Sequence, residues 1–215
     1  MSSAKNGFQV TLQRAALTLF LALSLAPWQT INAAEIARKP DWALPVEKSQ
    51  NLFLVAPNFY RSAQLVPADL PRLQNLGIKM VVSLRAFHSD NALLKNSGIK
   101  LIRIGVLTWD IDDKHVVRAL RAIRTAEKEG PVLLHCQHGA DRTGLVTAMY
   151  RMVYQNWDRE RALDELINGG YGYHAMWKNI PRYIRAVDVE KIRKMIDDSS
   201  DQNSDHPSDN AESKT

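Results

Sequence analysis

The 215-residue chain has one cysteine, and it stands in the run HCQHGADRT, from His135 to Thr143. Arg142 follows Cys136 by six positions, with Gly139 midway between them. The apolar run PVLLHC (131–136) comes before the loop and GLVTAMYRMVY (144–154) after it. The first reads as a short strand covered on both faces, the second as a helix. A loop that leaves a strand end and enters a helix collects backbone N–H groups, and the helix adds the positive end of its dipole. Gln137, His138, Gly139, Ala140 and Asp141 would therefore wall a cradle for a tetrahedral anion. The same field favours a thiolate at Cys136. Arg142 offers a planar fork that can hold two oxygens of a phosphate. The Thr143 hydroxyl can donate to the sulfur and ease its departure in a second step.

The elements around this loop alternate. NLFLVA (51–56) reads as a strand and PNFYRSAQ (57–64) as a turn-rich segment. PADLPRLQNLG (67–77) has a proline start and a glycine stop, the punctuation of a helix. IKMVVSLR (78–85) is a β-branched strand, SDNALLKNSG (89–98) a short helix, and IKLIRIGV (99–106) a strand of period two. TWDIDD (108–113) is a loop, and 114–130 an amphipathic helix with Val116, Val117, Leu120 and Ile123 on one side. Helical stretches follow over 142–156, 158–168 and 177–197. Interleaved strands and helices with a helical C-terminal half predict an α/β fold, a central and mainly parallel sheet flanked by helices. In such a sheet ligands bind beyond the carboxyl ends of the strands, where Cys136 falls.

Composition bounds the setting. The chain is 45% hydrophobic and 24% charged, which suits one globular domain. Lys5 and Arg14 precede AALTLFLALSLA (15–26), and Pro27 and INAA (31–34) come after it. That is the layout of a cleaved secretory signal peptide over residues 1–34, and it predicts a periplasmic protein. Residues 35–50 read as a lead-in, 51–197 as the domain, and 198–215 as a disordered acidic tail without large apolar side chains. Lys5, Arg14 and Lys214 lie outside residues 35–197, as do five acids. Of 28 bases and 23 acids, that leaves 25 against 18 within. A surplus of this size favours anionic partners. The bases are scattered and no recognition motif appears, which argues against nucleic acid. A single cysteine excludes an internal disulfide. The six histidines have no metal-ligand spacing, so neither a metal nor another cofactor is expected.

The spacing Cys-x5-Arg-Thr after a strand and a histidine resembles the signature of the cysteine-dependent protein tyrosine phosphatase superfamily. The chain length resembles its dual-specificity branch. FYRSAQ (59–64), IKMVVSLR, the TWDIDD loop and GPVLLHCQHGADRTGLVTAMYRMV (130–153) occur in the order of the bacterial periplasmic members. The resemblance implies a protein tyrosine phosphatase-like fold and a phosphorylated protein as substrate, carrying phosphotyrosine or also phosphoserine and phosphothreonine. The periplasmic part of a membrane protein is one candidate. It implies attack by Cys136 on phosphorus, a phosphocysteine intermediate, and hydrolysis by water. It makes Arg142 catalytic and His135 a supporting residue that orients the loop. It also implies an acid some 25–35 residues before the cysteine. Asp110, Asp112 and Asp113 stand near there, with Asp110 first because the other two sit where a helix begins. Arg61 and Ser62 read as braces, Asp141 as a partner for a neighbouring loop, and GGYGYHAMW (169–177) as one rim of the cleft. A phosphoinositide or inositol-phosphate phosphatase is the alternative; a non-catalytic phosphate-binding module and a rhodanese-type sulfurtransferase fit less well.

Overall fold

The structure is a computed structural model and describes residues 38–198. The expected signal peptide and the acidic tail beyond Asp198 lie outside the described residues. Six strands form one sheet: β1 (Leu44–Glu47), β2 (Leu52–Ala56), β3 (Phe59–Ser62), β4 (Met80–Ser83), β5 (Lys100–Arg103) and β6 (Val132–His135). Their spatial order is β1-β2-β3-β6-β4-β5. β3, β6, β4 and β5 run parallel, whereas β1, β2 and β3 form an antiparallel meander. The sheet is therefore mixed rather than mainly parallel. Only Pro57 and Asn58 separate β2 from β3, and a link that short cannot cross over to a parallel neighbour. FYRS, read from sequence as part of a turn, is strand β3. Its polar Arg61 and Ser62 are buried, which hid the strand pattern. The segment 35–50 carries β1, and Trp42 and Ala43 just before it are buried.

Among the described residues, seven α-helices complete the fold: α1 (Leu70–Asn75), α2 (Asn91–Leu94), α3 (Asp113–Glu129), α4 (Asp141–Tyr154), α5 (Arg159–Asn168), α6 (Asn179–Ala186) and α7 (Val189–Asp197). The predicted helix over 177–197 is two helices. Val187 is extended, and Asp188 caps α7 by accepting from Lys191 N at 3.0 Å. The pleat sends alternate side chains of β6 to opposite faces. Val132 and Leu134 join the large core formed with α3 to α7, while Leu133 joins Leu73 of α1 and Leu94 of α2 on the other face. All four β6 residues are buried. The central strand thus carries the chain through the core and delivers Cys136 at its carboxyl end.

One buried ion pair ties the meander to the helices. Arg151 of α4 donates Nε to Glu165 Oε2 of α5 at 2.8 Å and Nη2 to Oε1 at 3.0 Å. The Ala43 N–H and the Tyr171 hydroxyl also donate to Glu165, at 2.7 and 2.9 Å. Burial alone would raise the Glu165 carboxyl. The Arg151 hydrogen bonds and charge outweigh it and hold the carboxyl below its ordinary value.

Candidate active site

Cys136 is the first residue after β6 and is 1% exposed. The loop that follows turns at Gly139, whose φ is +69°. Its first helical hydrogen bond, Gly144 N to Ala140 O at 2.7 Å, places Asp141, Arg142 and Thr143 in the opening turn of α4. N–H groups in such a turn have no partner within their helix. A tetrahedral anion over Cys136 would meet them together with the dipole of a fourteen-residue helix.

Several fastenings hold this loop from outside. The Gln64 N–H donates to Gln137 O at 3.1 Å, and Asn51 Nδ2 to His138 O at 2.8 Å. Arg61 is fully buried and donates Nη2 to Gly139 O at 2.6 Å, while its guanidinium lies 3.6 Å from the Tyr171 ring centre. Burial pulls the Arg61 guanidinium below the ordinary arginine value; Tyr171, Glu165 and Cys136 act the other way. Arg142 Nη1 donates to Val106 O at 3.2 Å, which ties the catalytic-arginine candidate to the strand-end opposite the loop. Arg142 Nε and the Thr143 hydroxyl are buried and have no protein partner among the described residues. Buried polar groups are normally paired, so these two are available to a ligand.

Below the cysteine, His135 is fully buried between two acceptors. Its Nδ1 is 3.0 Å from Cys136 O, and its Nε2 is 3.0 Å from Asp90 Oδ2. Burial would raise the Asp90 carboxyl, but the His135 hydrogen bond and charge hold it below its ordinary value, so it is ionised. The imidazole therefore bridges the Cys136 carbonyl and the Asp90 carboxylate, which fixes the ring beneath the start of the loop. Asp90 had no place in the sequence reading, because 45 residues separate it from His135.

The loop faces a cleft of about 420 Å³. Gln137, His138, Asp141 and Arg142 line its inner side, and Phe87, Trp109, Met176 and Trp177 its walls. Among the acid candidates, Asp112 caps α3, accepting from His115 N at 2.8 Å. Asp113 accepts from the Tyr183 hydroxyl at 2.9 Å and from Lys191 Nζ at 2.7 Å. Against the effect of burial, these two donors hold its carboxyl below the ordinary value. Asp110 is exposed, and its carboxylate has no partner among the described residues. The loop that carries it brings Leu107, Thr108 and Trp109 to the cleft, and Asn179 Nδ2 of α6 anchors Thr108 O at 2.7 Å.

One feature departs from the expectation that the histidines form no cluster. The 169–178 segment folds over the loop, so that the His174 N–H donates to Asp141 Oδ1 at 2.9 Å and His174 Nδ1 lies 2.8 Å from Asp141 Oδ2. His138 and His174 rings stand 5.1 Å apart. Thirty-six positions separate the two histidines, so no local spacing revealed the group.

A buried cysteine at the end of a central strand, an arginine in the first turn of the next helix and the tight loop that joins them define a site for covalent phosphoryl transfer through sulfur. The chain belongs to the tyrosine phosphatase family, whose model matches residues 48–203. It is 40% identical over 165 residues to the dual specificity protein phosphatase TpbA of Pseudomonas aeruginosa, covering 76% of this chain and 75% of TpbA. A crystal structure of a Cys→Ser variant of TpbA in complex with pTyr superimposes with a TM-score of 0.70 at 38% identity, over 74% of this chain and 98% of that one. The catalytic domain of the yeast PP-IP phosphatase SIW14, from S. cerevisiae, matches with a TM-score of 0.59 at 25% identity, over 71% and 93% of the two chains.

Proposed function

We propose that this chain hydrolyses phosphotyrosine in proteins, with phosphoserine and phosphothreonine as slower substrates, through a phosphocysteine at Cys136. The observation that carries the reading is the contrast between the floor and the walls of the cleft. The floor offers an anion the Arg142 guanidinium, whose Nε has no protein partner among the described residues. The walls present apolar side chains to solvent: Phe87 is 89% exposed, Met176 73% and Trp109 65%. Exposed aromatic groups around a phosphate-sized donor set fit a phenyl phosphate, whose ring they can flank. A highly phosphorylated inositol would instead need several cations along the walls, where Arg85 is the one arginine beside the Arg142 of the floor.

The Cys136 thiolate attacks phosphorus in line with the tyrosine oxygen. The P–O bond breaks as the P–S bond forms, and Asp110 gives its proton to the departing phenolate. The loop N–H groups and Arg142 take up the charge of the transferring phosphoryl group. Asp110, now a base, draws a proton from water that attacks phosphorus, and the thiolate leaves with Thr143 donating to it. Initial rates on phosphotyrosine, phosphoserine, phosphothreonine peptides and an inositol polyphosphate test the reading. Phosphotyrosine should be turned over fastest; a faster inositol polyphosphate would move the assignment to the inositol-phosphate alternative.

The apolar run 15–26, preceded by Lys5 and Arg14, supports export, with residues 1–34 removed and the domain acting in the periplasm on exported or membrane-bound phosphoproteins. Mass spectrometry of the periplasmic fraction should find a chain starting near Ala34 or Glu35. Intact Met1 in the membrane pellet would contradict this.

A further inference from the structure

We propose that His138, Asp141 and His174 form a binding site for a zinc-class divalent cation at the mouth of the phosphatase cleft, and that an ion bound there inhibits the enzyme reversibly. The proposal rests on the reading of this cleft as the substrate entrance. One donor atom from each residue lies within 4.8 Å of the other two. A tetrahedral zinc with bonds of roughly 2.0–2.1 Å would set its ligands about 3.3 Å apart. The donors must therefore draw in by about 1.5 Å at most. The exposed His138 ring can swing in, whereas His174 and the buried Asp141 already meet at 2.8 Å.

The donor set selects the ion. Two ring nitrogens and one carboxylate oxygen suit zinc, cobalt, nickel or copper; magnesium and calcium take oxygen ligands. Three protein ligands leave a coordination position open. The Asp141 carboxylate already holds the His174 ring through Nδ1, which fixes that ring beside the loop. The three residues also come from two parts of the chain. His138 and Asp141 belong to the anion loop, and His174 to the segment that forms the opposite rim. An ion among them would pin rim to loop across the path that a phosphotyrosine must take.

The competing explanation for zinc inhibition is direct capture by the Cys136 thiolate, a good ligand in its own right. The test separates the two. Full-length wild type, Cys136→Ser, His174→Ala and His138→Ala are titrated with Zn²⁺ by calorimetry and with Co²⁺ by visible absorption. Wild type and Cys136→Ser should each take up one ion with similar affinity, and the cobalt spectrum should show no sulfur-to-metal charge-transfer band. Either histidine variant should bind at least about tenfold more weakly, since even the partners of a metal's ligands are worth ten- to a hundredfold. Two histidine variants are used so that misfolding of one leaves the other to decide. Zinc should inhibit hydrolysis of a phosphotyrosine peptide, and a chelator should restore it. Loss of binding in Cys136→Ser, unchanged binding in both histidine variants, or no uptake by wild type at millimolar Zn²⁺ would each overturn the proposal.

Discussion

Gly139→Ala should cripple the site while leaving the fold in place. Gly139 has φ +69°, a region that costs a residue with a Cβ about 1–2 kcal/mol. The added Cβ would also lie 2.5 Å from Ser62 O and 2.6 Å from Ala63 N. Both are backbone atoms at the end of β3, which the parallel pairing with β6 holds in place. No flexible side chain can move aside. Relief from 2.5 Å to an ordinary contact at 3.4 Å asks for roughly 0.9 Å of loop displacement. Misplacement of catalytic groups by about 1 Å costs on the order of a hundredfold in rate. We expect kcat/KM on a phosphotyrosine peptide to fall about a hundredfold, or about 2.7 kcal/mol in the transition state. The backbone penalty alone should lower Tm by about 2–8 °C for a domain of this size. Steady-state kinetics, phosphate binding and a thermal melt on the same preparation measure all three. A variant that melts lower but keeps wild-type kcat/KM would refute the link between loop position and activity.

Three further outcomes follow from the same geometry. Asp110→Asn should cut kcat severely on phosphotyrosine peptide and much less on an activated aryl phosphate, whose phenol leaves without a proton; Asp112→Asn should cost under ~1 kcal/mol of stability, as a helix cap does. If Asp112→Asn carries the leaving-group dependence instead, the acid lies two residues later. Glu165→Gln should cost about 3–5 kcal/mol at pH 7, because it leaves Arg151 buried without its counter-charge. The folded carboxyl of Glu165 lies below its ordinary 4.5, so its contribution is complete above that pH and is lost as pH falls through the folded value. The Tm gap between wild type and Glu165→Gln should therefore narrow below pH ~4.5; a constant gap would mean that packing, not charge, makes Glu165 stabilising. Asp90→Asn should lower both Tm and the kcat of the folded enzyme, since it removes the buried carboxylate that holds the His135 ring beneath the loop; unchanged kcat would reduce His135 to a packing residue.

What the sequence revealed and what it concealed divide along the range of the interactions. Cys136, Gly139, Arg142 and Thr143 lie within eight positions, and the strand before them and helix after them are local patterns. Arg61 and Ser62 misled, because buried polar residues break the alternation that marks a strand. Without β3 the meander disappears, and with it the antiparallel half of the sheet. The turn at Val187 escaped notice because the apolar spacing runs from α6 into α7 with only two extended residues, Val187 and Asp188, between them. Asp90 beneath His135 and His174 against Asp141 are juxtapositions that only the folded chain creates.

The central claim is that phosphate passes through Cys136. Full-length enzyme mixed with a phosphotyrosine peptide, quenched in acid during turnover and digested should yield a peptide spanning 135–143 with one phosphate on sulfur. Cys136→Ser should yield none and turn over no substrate, yet still bind the phosphopeptide through the loop and Arg142. Phosphate on a histidine, or turnover by Cys136→Ser above a trace of the wild-type rate, would contradict the mechanism.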